Sequence, residues 1–435
     1  MIKKILSALK KSGVELYQIT ETKQEKAELY FIRKSLDMQR MGDIRQAEVV
    51  VYKEFWEGDM HMMGSAAVQV QDSYTEEMMA ELFRDALYAA GFVKNKYYEL
   101  YAGKDDAQEE TSGTDCCPAD KTLADKSLTE IAQSFAEALF AEDQETDVFL
   151  NSAEIFALKT TCHIINSNGV DVSYCKSRVQ GEFVVQCTEG QDVETYQHFA
   201  YVNCDTKPLR NKVRETLRMT RDRAKAVSAP PAGEYRVILS GPYVREIFDY
   251  YVDRSAASMI YMKYSTFQIG SNVQGKTAEK DNIHLTLKAT VPYSAEGIPM
   301  KDRDLIRDGN LLMIHGNNRF AYYLNLEPTG NYESYKVPAG NVALDEMRQG
   351  TYLEVVNFSD FQMDSFSGHF GGEIRLAYLC DGEKRIPVTG GSINGNILEA
   401  QKSLVFSSQI QTEESFEGPL AVCMEKIQVA GSTEQ

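Results

Sequence analysis

The chain has 435 residues, 43% of them hydrophobic and 25% charged, which is material for a sizeable core in more than one domain of ordinary size. Its 46 Lys and Arg against 64 Asp and Glu leave a formal charge of −18, a surface that repels phosphate backbones and argues against wholesale nucleic-acid binding. No apolar run approaches the roughly 20 residues of a membrane helix, and the eight cysteines, with no Cys-x-x-Cys pair, are expected as reduced thiols of a cytoplasmic protein.

The first eleven residues start basic, but Lys10 and Lys11 break the apolar part and no cleavage site follows, unlike a signal peptide. Ile2, Ile5, Leu6 and Leu9 instead share one helical face, with Gly13 as a stop. Strands are expected over 28–32, 47–55 and 66–70, with turns at Gly42–Asp43 and at 57–59. Ser73 and Glu76 have the spacing of a capping box. Met79, Leu82, Phe83, Ala86 and Leu87 follow at helical spacing up to Gly91. This gives an N-terminal α/β-type unit over 1–103, followed by an acidic, polar flexible linker at 104–126.

A second capping box, Ser127 with Glu130, opens a helix whose inner face is Leu128, Ile131, Phe135 and Leu139. Asn166 to Gly169 lies between β-type runs at 161–165 and 170–174, a hairpin signal. Cys162, Cys175 and Cys187 fall in or beside these strands, as small core residues or a metal or redox cluster, with the core role favoured. Helix 206–226 has an apolar stripe of Leu209, Val213 and Leu217 ringed by Arg210, Lys212, Arg214, Arg218, Arg221, Arg223 and Lys225. On so acidic a chain this basic face is expected to be balanced by nearby acids rather than to contact nucleic acid. Pro230 and Pro231 close a middle β-hairpin and helix unit at 127–229. Beyond it come strand 235–239, a helix with Val244, Ile247, Phe248 and Tyr251 inward, and then strand after strand with glycine turns. The fold class is α+β, closing in a C-terminal β-rich barrel-like or sandwich domain at 230–435.

Glycines are too dense in 366–372 and 387–396 for plain strand packing. Short motifs recur in a fixed order: Asn168 to Asp171, Ser294 to Pro299, Leu305 to Leu311, Pro328 to Asn331, Ser367 to Phe370, Ser392 to Asn396 and Ile427 to Gly431. Over more than half the chain this series resembles the TldD/PmbA family, known as modulators of DNA gyrase and for peptide maturation. Ser294 stands where the family commonly has an acid, and His369 where it commonly has Asp.

The proteolytic half of that family carries a zinc-binding HExxxH helix, which would fall here on 244–254. Zinc chemistry needs imidazoles one helical turn apart, a glutamate base and a third ligand. This segment has Glu246, Asp249 and Asp253 but no histidine, and no two of the six histidines of the chain are an i, i+4 pair. Cys423 lies in the last strand without the family's C-G-x-x-G-Q loop. The resemblance is therefore to the PmbA/TldE-type subunit, and it implies no catalytic or metal-binding residue and no cofactor in this chain. Zinc is expected only in an HExxxH-bearing, TldD-like partner, in a cytoplasmic heterodimer that processes unfolded or modified peptides.

Candidate substrate-binding residues are Glu246, Tyr250, Glu296, Asn331 and His369. The carboxylates at 246, 249 and 253 share one helix side, where they suit a hard cation, acid–base work or a solvated face. Tyr243, Tyr250, Tyr251, Tyr261, Tyr264 and Phe267 are core packing or the lining of a peptide groove. Two other functions stay open: a stand-alone homodimeric peptide-binding regulator, and an autonomous hydrolase using Glu246 or Glu296. Neither nucleic acid nor membrane is expected as a partner.

Overall fold

Long antiparallel hairpins dominate the first half of the chain, their residues alternating between a covered and an open sheet face. The structure is a computed structural model that describes residues 1–103, 126–275, 281–413 and 415–431. Helix α1 (Ile2–Ser12) buries Ile5, Ala8 and Leu9 and stops at Gly13, whose φ of 74° makes a left-handed cap. There follow β1 (Leu16–Ile32), β2 (Ser35–Glu57), β3 (Met60–Gln71), α2 (Glu76–Ala90), β4 (Asn95–Lys96), α3 (Leu128–Phe140), β5 (Val148–Asn166), β6 (Asp171–Cys187), β7 (Val193–Tyr201) and α4 (Lys207–Ala224). The strands form one antiparallel sheet in the order β4-β3-β2-β1-β5-β6-β7. Helices α1 and α2 cover its β1–β3 end, and α3 and α4 its β5–β7 end.

Several expectations change here. The composition shift at 104–126 suggests two separate units, yet both halves contribute to this one sheet through the β1–β5 pairing. Residues 104–125, including Cys116 and Cys117, lie outside the described residues. The strands run well beyond the expected segments. Gly42 and Asp43 are no turn but sit inside β2 opposite Lys26 and Glu25, because the ladder with β1 overrides their local preference. The cap of α2 is Thr75, whose hydroxyl accepts from Met78 N at 3.3 Å, rather than Ser73.

Other local signals match the structure. Ser127 and Glu130 make both bonds of a capping box. In the hairpin turn Asn166 Oδ1 accepts from the amides of Asn168 at 2.8 Å and Val170 at 3.0 Å, and Gly169 has φ 91°. The basic face of α4 meets acids: Glu142 takes Arg210 and Arg214, and Arg221 pairs with Glu145 and Asp147.

The C-terminal part opens with β8 (Gly233–Ser240), α5 (Val244–Arg254) and α6 (Ala257–Tyr261). After β9 (Leu285–Lys288), β10 (Arg303–Arg307), β11 (Asn310–Leu311), α7 (Asn318–Tyr323), β12 (Ser334–Lys336) and α8 (Leu344–Met347) come β13 (Thr351–Met363), β14 (His369–Asp381), β15 (Arg385–Val388) and β16 (Ser392–Asn396). Helix α9 (Ile397–Ala400) precedes β17 (Val405–Phe406), β18 (Ile410–Glu413), β19 (Phe416–Pro419) and β20 (Ala421–Ala430). One sheet runs β11-β10-β9-β12-β19-β18; the other runs β13-β8-β20-β16-β14-β15, and β13 also pairs with β14. That last pairing closes the second sheet on itself, so the domain is barrel-like and the fold is α+β, as the sequence suggests. Helix α5 packs Ile247, Phe248 and Tyr251 into the core that both sheets share.

Polar contacts hold the barrel to the first sheet and brace its outer wall. The barrel meets the first sheet where Gln18 Nε2 donates to the Ala295 carbonyl at 2.9 Å and Asn318 Nδ2 donates to the Glu99 carbonyl at 2.6 Å. On the face of the closed sheet away from the shared core, beside α8, Glu354, 1% exposed, accepts from Arg348 at 2.8 and 2.6 Å, Arg385 at 3.1 Å and Ser240 Oγ at 3.1 Å. Burial alone would raise its pKa, but the two arginines outweigh burial and hold it below the ordinary value. Replacing it strands two guanidinium groups that keep some contact with water. Glu354→Ala is therefore expected to cost about 2–4 kcal/mol, somewhat under the usual loss for a fully buried pair. The measurement is the urea midpoint of the full chain; an unchanged midpoint would show that the triad adds nothing.

Candidate functional site

Helix α5 places Val244, Ile247, Phe248 and Tyr251 at i, i+3, i+4 and i+7, all fully buried. The same spacing turns Arg245, Glu246, Asp249 and Asp253 outward, into a cleft of about 1010 Å³. The facing wall is the edge strand β7, from Glu194 to His198, with the end of α4. Asn357, Phe358 and Ser359 of β13 and Arg375 of β14 complete the cleft, so it is shared by the first sheet and the barrel.

The carboxylates of α5 are held to different degrees. Asp249 Oδ1 lies 2.7 Å from the Tyr335 hydroxyl and 3.5 Å from Arg245 Nε. Asp253 Oδ2 accepts from Ser365 Oγ at 2.6 Å. Burial raises the pKa of Asp249 despite Arg245 and Tyr335. Glu246 is pushed up to about 7, first by burial and then by the neighbouring Asp249, which together outweigh the attraction of Arg245. It therefore changes charge near neutral pH. Lys212 Nζ bridges the two walls, 2.8 Å from Glu413 and 3.0 Å from the His198 carbonyl.

Among the five candidate residues only Glu246 lines this cleft. Tyr250 points from α5 into the core, packed edge-on to Tyr251 and Phe267. Glu296 sits at the junction of sheet and barrel, accepting from Asn318 N at 2.8 Å. Asn331 is exposed beside Gly330. His369 is exposed at the start of β14, paired with Asn396, and borders a separate depression of about 780 Å³. Of the aromatic concentration, Tyr243 lines the cleft with its ring against Phe358, while Tyr251, Tyr261, Tyr264 and Phe267 pack on other side chains. Sequence reasoning missed Arg375, Glu413 and Tyr335, which carry no motif and reach the cleft only through the tertiary fold.

A zinc ion, implied by the resemblance for the catalytic half of the family, does not fit these donors. His315 touches α5, but its Nε2 is 2.9 Å from the Val252 carbonyl and the ring is buried in the core. Cys423 is buried in β20 between β8 and β17. Among the described residues no three His, Cys, Asp or Glu side chains come together as a metal would require.

Residues 232–431 match the family model described as the PmbA/TldA metallopeptidase C-terminal domain. That match covers 200 of the 435 residues and shows a C-terminal domain of the PmbA/TldA metallopeptidase type. A metalloprotease of Methanothermobacter thermautotrophicus is 24% identical over 57% of this chain and 60% of its own length. The metalloprotease PmbA of Escherichia coli O157:H7 is 24% identical over 61% of each. The match thus spans about three-fifths of these curated relatives. The same fold occurs in TldE from Thermococcus kodakarensis, with a TM-score of 0.76 at 14% identity, covering 99% of this chain and 100% of the other. A Thermotoga maritima protein described as a candidate modulator of a DNA gyrase aligns with a TM-score of 0.77 at 16% identity, over 99% of both chains. Helix α5 lies within the matched segment.

The electrostatics of α5 give a prediction with a definite sign. The folded pKa of Glu246, about 7, lies above its ordinary 4.5, so its contribution to stability is complete below about pH 4.5 and is lost as pH rises through 7. Part of the side chain meets solvent, so the expected loss is discounted to about 1–2 kcal/mol. Glu246→Gln removes this loss: at pH 8 the variant should unfold at higher urea than the unchanged chain, and the two should converge near pH 4. Carbon-13 NMR of the Glu246 carboxyl should titrate near 7; a midpoint near 4.5 would remove the desolvation account.

Proposed function

We propose that this chain is a non-catalytic, PmbA/TldE-type subunit of a cytoplasmic peptidase assembly. A TldD-like partner bearing HExxxH supplies zinc and cleavage, while this chain supplies part of the peptide channel and the subunit interface. The observation that carries this is the outer face of α5. Where the catalytic half of the family would place two imidazoles and a glutamate, this helix presents Arg245, Glu246, Asp249 and Asp253. Two of those carboxylates are already occupied by Tyr335 and Ser365. The names of the relatives fit the peptidase setting but not the division of labour: two are called metalloproteases and one TldE.

The cleft suits an extended peptide. It is elongated along an edge strand, whose outer side is a natural place for another strand to lie. Its walls mix charge with aromatic surface from Tyr196, Tyr243 and Phe358. Among the described residues no helix is long and apolar enough to cross a membrane, which is compatible with that assembly.

The test is reconstitution. The purified chain should leave unfolded peptides intact. Co-expression with an HExxxH-bearing subunit from the same genome should give a stoichiometric complex that cleaves them, and replacing either partner histidine should abolish cleavage. Recovery of a homodimer alone from the native cell would favour a stand-alone peptide-binding regulator instead. Chelator-insensitive cleavage by the isolated chain, lost in Glu246→Ala or Glu296→Ala, would overturn the non-catalytic reading outright.

A further inference from the structure

The cleft is electrically lopsided. One wall carries Glu246, Asp249 and Asp253 against the one cation Arg245, with Glu413 beyond them, while the wall opposite has Glu194 at its start. The other holds Arg223, from the last turn of α4, and Arg375, from the middle of β14. Elsewhere on α4, Arg210, Lys212, Arg214 and Arg221 each meet a carboxylate. Arg223 differs: among the described residues its contact is the Glu194 carbonyl at 2.6 Å, with no carboxylate in ion-pairing range. Arg375 has only the distant Glu373, at 3.7 Å, and that carboxylate also accepts from Ser359 Oγ at 2.7 Å. Arg223 is half-buried, and burial, then the charge of Arg375, lowers its pKa. In a chain of net charge −18, two arginines from different structural units are thus brought to one cleft, one with no carboxylate partner among the described residues and the other with a single shared one.

Guanidinium groups lining one cleft match a carboxylate in charge and in planar, forked geometry. The facing acidic wall rejects polyanions and favours a ligand with positive charge a short distance away. Arg223 holds β7 at Glu194, and Lys212 holds it at His198 near Glu413. Four residue steps along the strand separate those points, roughly 13 Å at about 3.3 Å per residue. We propose that Arg223 and Arg375 form a subsite for the terminal carboxylate of an extended peptide, whose chain runs antiparallel to β7 toward the acids of α5. This rests on the proposed peptide-cleft function and adds to it a direction and a terminus.

The experiment uses the full chain and a lysine-first pentapeptide in three forms: free acid, C-terminal amide, and amide with glutamate as last residue. Binding is read by calorimetry at low ionic strength. The free acid should bind about tenfold or more tightly than either amide, as losing a charge-assisted contact implies. Arg223→Gln with Arg375→Gln, and Arg375→Gln alone as a milder variant, should bind the free acid and the amide alike, with the amide affinity unchanged. Thermal unfolding of both variants checks that they fold. Equal binding of acid and amide by the unchanged chain would refute the subsite but leave the peptide cleft standing. Recovery of tight binding by the glutamate amide would refute the terminal assignment. Failure of all three forms to bind would overturn the cleft and the subsite together.

Discussion

The pairing of β1 with β5 is the contact on which the rest of the molecule depends. It runs without a break from Gln18 opposite Asn166 to Ile32 opposite Ser152. Because side chains alternate with a period of two, a slip of one residue would turn the whole buried set of β5 to the wrong face. With the register fixed, β6 and β7 follow by hairpins and β7 becomes the free edge. Helix α4 then lies across that end of the sheet and meets the barrel through Lys212 with Glu413 and Asp222 with Tyr378. The cleft is the space left between that edge and α5, so its shape is set by a strand pair that never touches it.

The same residue type behaves in opposite ways at the two acidic sites of the barrel. Glu354 is the more deeply buried, yet its pKa is lowered, because Arg348 and Arg385 both reach it. Glu246 has water on one side, yet its pKa is raised to about 7, first by burial and then by its neighbour Asp249, because Arg245, the cation within reach, is shared with Asp249. Burial opposes charge at both sites, and the count of reachable cations decides which effect wins. A well-paired carboxylate is part of the scaffold, whereas a poorly paired one at a cleft wall is available to respond to whatever enters.

Signals confined to one segment were readable from the residues: the capping box at Ser127, the hairpin at Asn166 to Gly169, the stop at Gly13 and the inward face of α5. Each is written within a few residues of chain. The β1–β5 pairing spans the segment 104–125 and leaves no local trace, so one sheet looked like two units. Much the same limit applies to the cleft. Glu246 was legible from helical spacing, but Arg375 acquires meaning only beside Arg223. The glycine-rich runs drew attention to His369 for a different reason. A Cβ on Gly372 would lie 2.3 Å from the Asp360 carbonyl, and one on Gly395 would lie 2.3 Å from the Phe370 ring. Those glycines record close approach of backbone and ring within the barrel.

Helix α5 serves two separate purposes through its two faces. The inner face buries Val244, Ile247, Phe248 and Tyr251 completely, between the two sheets. At about 1.5–3 kcal/mol per large apolar side chain, that face contributes far more than any exposed charge on the other. The barrel therefore requires the helix whatever its outer residues are. The outer face is fixed only in position, pointing across the cleft at β7. Its chemistry is not dictated by the core, and here it is a set of carboxylates, one of them titrating near neutral pH.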